Sequence, residues 1–183
     1  MNQSDNSPTT TVEPVAPRAR LVERWWFNAL WFQLFWLCAV LGRDSLLPVT
    51  ALLLVLHFAL VRSAVAELAA LAPVALIGAA VDSTLSLTGV FQFPGPGPIP
   101  LWLLALWFAF ATTLSRSLDA LCRRPLLACL LGAPAAGNYL VGAKLGAVEF
   151  GFSTTQTLWL LLPLWMILLP LLCAVSNRLG GTR

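Results

Sequence analysis

Apolar residues fill this chain in long blocks, and the polar and turn-forming positions between them mark off six segments, at about residues 25–42, 46–61, 64–91, 99–115, 125–149 and 157–175. A helix needs about 20 residues to cross the hydrocarbon core of a bilayer, and the blocks scatter around that length. None shows the period-two alternation of a half-buried strand. The pattern predicts an all-α integral membrane protein, a six-transmembrane-helix bundle over residues 25–176. A polar, disordered tail with a basic end is expected at residues 1–24, and a short basic tail at 177–183.

The breaks between blocks carry their own signals. Gly42-Arg43-Asp44-Ser45 reads as a tight turn, with Ser45 capping the next helix and Pro48 tolerated in its first turn. Arg62 and Ser63 separate the second and third blocks. Residues 92–100, QFPGPGPIP, alternate proline and glycine, which forbids helix and predicts a semi-rigid strap outside the bilayer. The basic linker RSLDALCRR leads into Pro125, residues 151–156 turn again, and Pro163 and Pro170 are expected to bend the last helix. Residues 1–17 are too polar to bury themselves. Because Arg18, Arg20 and Arg24 follow that tail instead of opening the chain, no signal peptide is expected and the first span stays as an anchor. Cys38, after Phe35-Trp36-Leu37, lacks the small residues of a lipoprotein processing site.

Composition strengthens this reading. The chain is 58% hydrophobic and only 10% charged, with a mean hydropathy of +0.81, whereas soluble domains carry about 25% charged residues. The net charge of +3 comes from basic residues placed singly or in pairs at segment ends, so nucleic acid is not a partner. With six spans, nine of the eleven basic residues (Arg18, Arg20, Arg24, Arg62, Arg116, Arg123, Arg124, Arg178 and Arg183) share a side with the termini, against Arg43 and Lys144. Cytoplasmic loops hold the excess of Lys and Arg, which puts both termini in the cytoplasm of a multi-pass bacterial inner-membrane protein. Cys38, Cys122, Cys129 and Cys173 show no CxxC or His pairing and read as small apolar residues without metal or disulfide.

The fifth block is the richest in polar and small residues, with Asn138, Tyr139, Lys144 and Glu149 among many glycines and alanines. Ala133–Gly137 and Gly142–Gly146 are small-xxx-small pairs that admit close helix packing. This helix, bent at Pro134, is therefore expected at the centre of the bundle, lining any site. Asp82 stands roughly 22 Å along the third helix from Glu67, in the outer half. By the same rise Lys144 also lies in the outer half, and an Asp82–Lys144 pair is predicted. Gly78, Asp82 and Ser86 share one face, expected to meet the fifth helix. Two readings stay open: a structural pair, or a polar pocket of Asp82, Ser86, Asn138, Tyr139 and Lys144.

Secondary candidates are Glu67, an interfacial carboxylate expected to pair with Arg62 or an inner-loop arginine, and His57, placed near mid-membrane as a packed imidazole or a proton relay. Gln33 and Glu149 complete the set, while Asn28 and Asn138 read as interhelical hydrogen-bonding groups. The eight tryptophans read as interfacial belts and lipid-facing bulk. No histidine cluster, GxSxG, HExxH or phosphate-cradling loop is present, so no catalytic, cofactor-binding or metal residues are assigned. An enzyme would have to run its acid–base chemistry on Asp82, Lys144, Glu149 and Tyr139.

One ordered set of residues runs through the chain: Asn28-Ala29-Leu30 with Phe32-Gln33 and Trp36; Glu67 and Asp82 before Gly89-Val90-Phe91; Pro100-Leu101-Trp102-Leu103 with Leu106-Trp107 and FATTL at 110–114; and Gly132, Pro134, Tyr139, Gly142, Lys144 and Gly146-Ala147. The set resembles a bacterial inner-membrane family of about this length, a domain of unknown function, over residues 25–175. At Ser115-Arg116 the chain departs from relatives that carry Asn and another polar residue before the Ser-Leu matching Ser117-Leu118. The resemblance implies six helices, the inner membrane and no established activity. It also implies gene neighbours similar to cyclopropane-fatty-acid synthases and flavin oxidoreductases.

The leading functional expectation is a non-catalytic accessory or binding component linked to membrane-lipid modification. It would have membrane lipids, a membrane-protein partner or a second copy as partners, and no cofactor. A small-solute carrier or substrate-binding transporter subunit is the first alternative, by layout alone. A membrane enzyme acting on acyl chains is the second.

Overall fold

The computed structural model describes residues 21–180. The tail expected at residues 1–24 therefore lies, up to residue 20, outside the described residues, as do residues 181–183.

Helix α1, Trp25–Gly42, ends where Arg43 takes φ 48°, and a 3-10 turn over Arg43–Leu46 hands the chain to α2, Leu47–Leu60. Ser45 falls within that turn and does not cap α2. Helix α3, Ala64–Leu87, is capped by Ser63, whose hydroxyl accepts from the Ala66 amide at 3.3 Å. It stops earlier than its apolar block, because Gly89 turns the chain at φ 78° into strand β1, Phe91–Gln92. After the Pro-Gly strap come α4, Leu101–Leu114, the short α5, Asp119–Cys122, and a broken fifth helix. The break separates α6, Pro125–Ala135, from α7, Gly137–Lys144, next to Pro134. Strand β2, Glu149–Phe150, then precedes α8, Thr154–Gly180, which stays helical through Pro163 and Pro170 and into the expected tail.

Among the described residues, four stretches are long and apolar enough to cross a membrane: Trp25–Leu60, Ala64–Leu87, Pro125–Lys144 and Thr154–Leu179. Leu101–Leu114 is apolar but shorter. The first stretch contains the Arg43 turn, and it folds back on itself. Asn28, near the start of α1, reaches Thr112 and Ser117, while His57, near the end of α2, reaches Glu67 and through it Arg116. Both ends of the α1–α2 pair thus meet one corner, with the turn at the opposite end.

At that opposite end, β1 and β2 pair antiparallel, Phe91 facing Phe150 and Gln92 facing Glu149. The Gly151 amide donates to the Val90 carbonyl at 3.0 Å, and a Cβ at Gly151 would sit 1.9 Å from the Gly89 oxygen, so only glycine fits. This small sheet corrects the purely helical expectation, and it places Glu149 on a strand, exposed. It forms because two loops with freed backbone groups lie side by side. Arg43 closes the same end by donating to the Gly146 carbonyl at 2.6 Å.

The centre of the bundle is α4, not the fifth helix. Trp102, Leu103, Trp107, Ala109, Ala111, Thr112, Thr113 and Leu114 are all buried, and α4 touches α1, α2, α3 and α8. By contrast α6 packs chiefly on α8 and leaves Leu126, Leu127, Leu130 and Leu131 exposed. Its contact stripe is Ala128, Gly132 and Ala136, and a Cβ on Gly132 would lie 2.2 Å from the Trp165 carbonyl oxygen. The pairs expected to do this work sit elsewhere: Gly146 turns the chain at φ 73°, and Gly137 faces open space. Cys122 and Cys173 are joined by a disulfide, contrary to the expectation of none, with the Asn177 side chain donating to the Cys122 carbonyl at 3.0 Å. They are 51 residues apart, and only the seating of α5 against α8 brings them together.

Candidate functional site

Helix α3 builds the site through two positions one turn apart. Gly78 has no side chain, and the Trp107 ring of α4 lies on it so closely that a Cβ would meet Cε3 at 2.1 Å. That seating aims the Trp107 indole at Asp82, whose Oδ2 accepts from Nε1 at 2.7 Å. On its other oxygen, Asp82 accepts from the Tyr139 hydroxyl of α7 at 2.7 Å. Asp82 is 0% exposed. The shared face of Gly78 and Asp82 meets α4, with only Tyr139 reaching in from the fifth segment.

Aromatic rings surround this carboxylate. Tyr139 stacks on Phe91 with centroids 4.9 Å apart, and Trp107 stacks on Trp165 at 6.0 Å and 9°. Phe110 meets both indoles edge-on at 5.6 and 6.1 Å. A cavity of about 130 Å³ opens among them, and Phe32, Trp36, Phe93, Trp102, Trp107, Phe110, Tyr139 and Trp165 make eight of its lining residues aromatic. Asp82 supplies the one ionisable carboxylate of that lining and Asn138 the one amide. Both Asn138 and Tyr139 are carried there by the break between α6 and α7.

The predicted pocket residues therefore separate. Asp82, Asn138 and Tyr139 line the cavity; Ser86 and Lys144 do not. Lys144 ends α7 exposed, and the Asp82–Lys144 pair is replaced by the bonds from Trp107 and Tyr139. Gln33 is exposed on α1. The residues missed were Trp107 and Trp165, read as membrane belts. The available signal was a tryptophan facing a glycine one turn from an acid, which no single segment displays.

A second polar cluster lies at the other end of α3. Glu67 Oε1 meets Arg116 Nη2 at 2.8 Å and His57 Nε2 at 3.1 Å, with side chains 4%, 7% and 2% exposed respectively. Of the two partners expected for Glu67, Arg62 or an inner-loop arginine, the structure supplies the second, Arg116 of the linker after α4. His57 is in the last turn of α2, not near mid-membrane. Asn28 ties the same corner together, donating to Thr112 Oγ1 at 2.9 Å and accepting from Ser117 Oγ at 2.7 Å. So Arg116 holds a buried carboxylate. Among the described residues no group of three or more His, Cys, Asp or Glu could hold a metal ion.

A family model described as a protein of unknown function, DUF2878, matches residues 25–171. The chain belongs to that family. No curated protein and no solved structure matches the chain. The matched residues take in the Asp82 cavity and the Glu67 corner alike.

Proposed function

We propose that this member of DUF2878 is a multi-pass membrane protein that binds a small, largely apolar molecule in the cavity beside Asp82. The observation that carries the reading is that cavity: about 130 Å³, walled by aromatic rings, with one fully buried carboxylate at its side. Membrane proteins do not bury an ionisable group in a span without a use for it in most cases, because the desolvation cost is several kcal/mol. The polar groups around the cavity are Asp82, Tyr139 and Asn138, a set suited to holding a molecule and poorly supplied for transforming one. The role is thus a binding or accessory one, in the inner membrane of a bacterium. The link to lipid modification rests on the resemblance given above.

Six spans follow if α1 and α2 each cross and the shorter α4 crosses too, since the chain turns back at Arg43 and the basic residues then gather nine against two on the side of the termini. Labelling intact cells with a membrane-impermeant maleimide tests that orientation on single cysteines introduced at exposed positions, Arg62→Cys and Lys144→Cys, in a chain without Cys38 and Cys129: labelling of the second alone supports it, and labelling of the first from outside reverses it.

A carrier is the second reading, favoured by one observation. Asn138 and Tyr139 lie just past the break between α6 and α7, and interrupted helices line the substrate sites of many transporters. For binding itself, the test is mass spectrometry of the protein purified from its membrane, beside Gly142→Leu. Gly142 lines the cavity and meets only Val148 at 3.8 Å, so leucine fills the space. A small molecule that accompanies the wild type and is absent from Gly142→Leu supports the reading. Identical spectra overturn it.

A further inference from the structure

Resting on the reading of the Asp82 cavity as a binding site, we infer that its ligand presents a compact organic cation, of the alkylammonium class, to Asp82 and the rings around it. The argument begins with the hydrogen bonds. An indole N–H only donates, so Asp82 Oδ2 is an acceptor toward Trp107, and Oδ1 accepts from the Tyr139 hydroxyl. Both oxygens thus meet groups able to donate, an arrangement that accommodates the ionised carboxylate. Its neighbours are neutral: no ion pair to Asp82 is formed among the described residues, whereas Glu67 on the same helix has Arg116 and His57. Neutral donors lessen the cost of the buried charge but leave it uncompensated.

The cavity wall states which cation would balance it. A hydrated metal ion needs six or more oxygen ligands, and the wall offers mostly rings. Aromatic faces attract cations through their quadrupole, and boxes of Trp, Tyr and Phe are how quaternary ammonium groups are recognised. Trp102, Trp107, Trp165, Phe110 and Tyr139 contribute rings to the wall that Asp82 also lines. An anionic ligand finds no cation in the lining, and a sugar finds too few polar partners. The volume, about 130 Å³, is slightly below the roughly 150 Å³ of a cavity known to take benzene, which suits a trimethylammonium-sized group. Such a group occurs on free solutes and on lipid headgroups.

The experiment is isothermal titration of the full chain in detergent with two probes of equal shape. These are choline and its neutral carbon isostere, in which a tert-butyl group replaces trimethylammonium. Saturable binding of choline about tenfold or more tighter than the isostere is expected, with Asp82→Asn erasing the difference between the two probes. Should Asp82→Asn fail to fold, Trp36→Leu serves, because removing one lining ring is expected to weaken choline more than the isostere. Equal binding of both probes by the wild type overturns the cation class and leaves the cavity as a binding site. No binding of either probe or of benzene overturns both. Competition between choline and vesicles of phosphatidylcholine then separates the sources: displacement by the vesicles assigns the headgroup, and its absence the free solute.

Discussion

Glu67 and Asp82 stand on one helix, both buried, and the protein treats them in opposite ways. Glu67 is closed into a corner with Arg116 and His57, so its charge is matched and its lone pairs are used. Asp82 has neutral donors only, an indole and a phenol, and borders an aromatic cavity. The first arrangement holds three elements together; the second sets a buried carboxylate at the edge of a cavity. A carboxylate in a span is thus not one kind of site, and its partners decide whether it is mortar or a recognition group.

The sharpest way to break this contrast is to remove one acid at a time and follow apparent melting in detergent. Glu67→Ala strands the Arg116 guanidinium in a buried corner and is expected to cost about 3–5 kcal/mol. The paired change Glu67→Met with Arg116→Met should recover most of it, and a failure to recover would mean that packing, not charge, ties that corner.

Next in size is Gly132→Leu, which drives a side chain into the Trp165 backbone. Overpacking of this kind costs about 1–3 kcal/mol, read in the same melts, and a neutral result would place the α6–α8 seam elsewhere. Tyr139→Phe removes one donor to Asp82 and is expected to cost about 1–2 kcal/mol, since the partner is charged. Asp82→Asn should change stability by less than about 1 kcal/mol, because no cation is orphaned. If Asp82→Asn proves as damaging as Glu67→Ala, the contrast between the two acids is wrong. Arg123→Ala is the control. The Asp119–Arg123 pair is 39% and 73% exposed, and its loss should not move the melt.

Much of the architecture was readable as pattern. Long apolar blocks mark helices because each buried or lipid-facing turn must satisfy its own backbone, and Pro-Gly runs mark their ends. The boundaries at Gly42, Ser63 and Pro125 follow from such local rules, and the helices begin or end there. The candidate site was legible only in part. Asp82 and Tyr139 were singled out as costly or unusual groups for a membrane span, but their partnership with Trp107 was not, since a tryptophan in an apolar segment looks the same whether it faces lipid or an acid.

The centre of the bundle shows the limit most clearly. Small and polar residues pointed to the segment at 125–149, yet α4 took the middle, with an almost entirely apolar sequence in which Thr112 and Thr113 are the buried hydroxyl side chains. A membrane helix in the interior needs shape complementarity with several neighbours at once, and α4 achieves this with Trp107 laid into the gap at Gly78. The fifth segment instead uses its small residues for one neighbour, α8, and its break to carry Tyr139 inward.

By itself, then, the sequence determined the helices, their apolar character and most of their ends, because these depend on residues within a turn or two of one another. Tertiary structure alone decided which helix is central, that Cys122 meets Cys173, that Arg116 rather than Arg62 answers Glu67, and that Asp82 faces rings instead of Lys144. Each of those outcomes joins residues far apart in the chain, and each turns on which helix faces meet when the whole bundle closes.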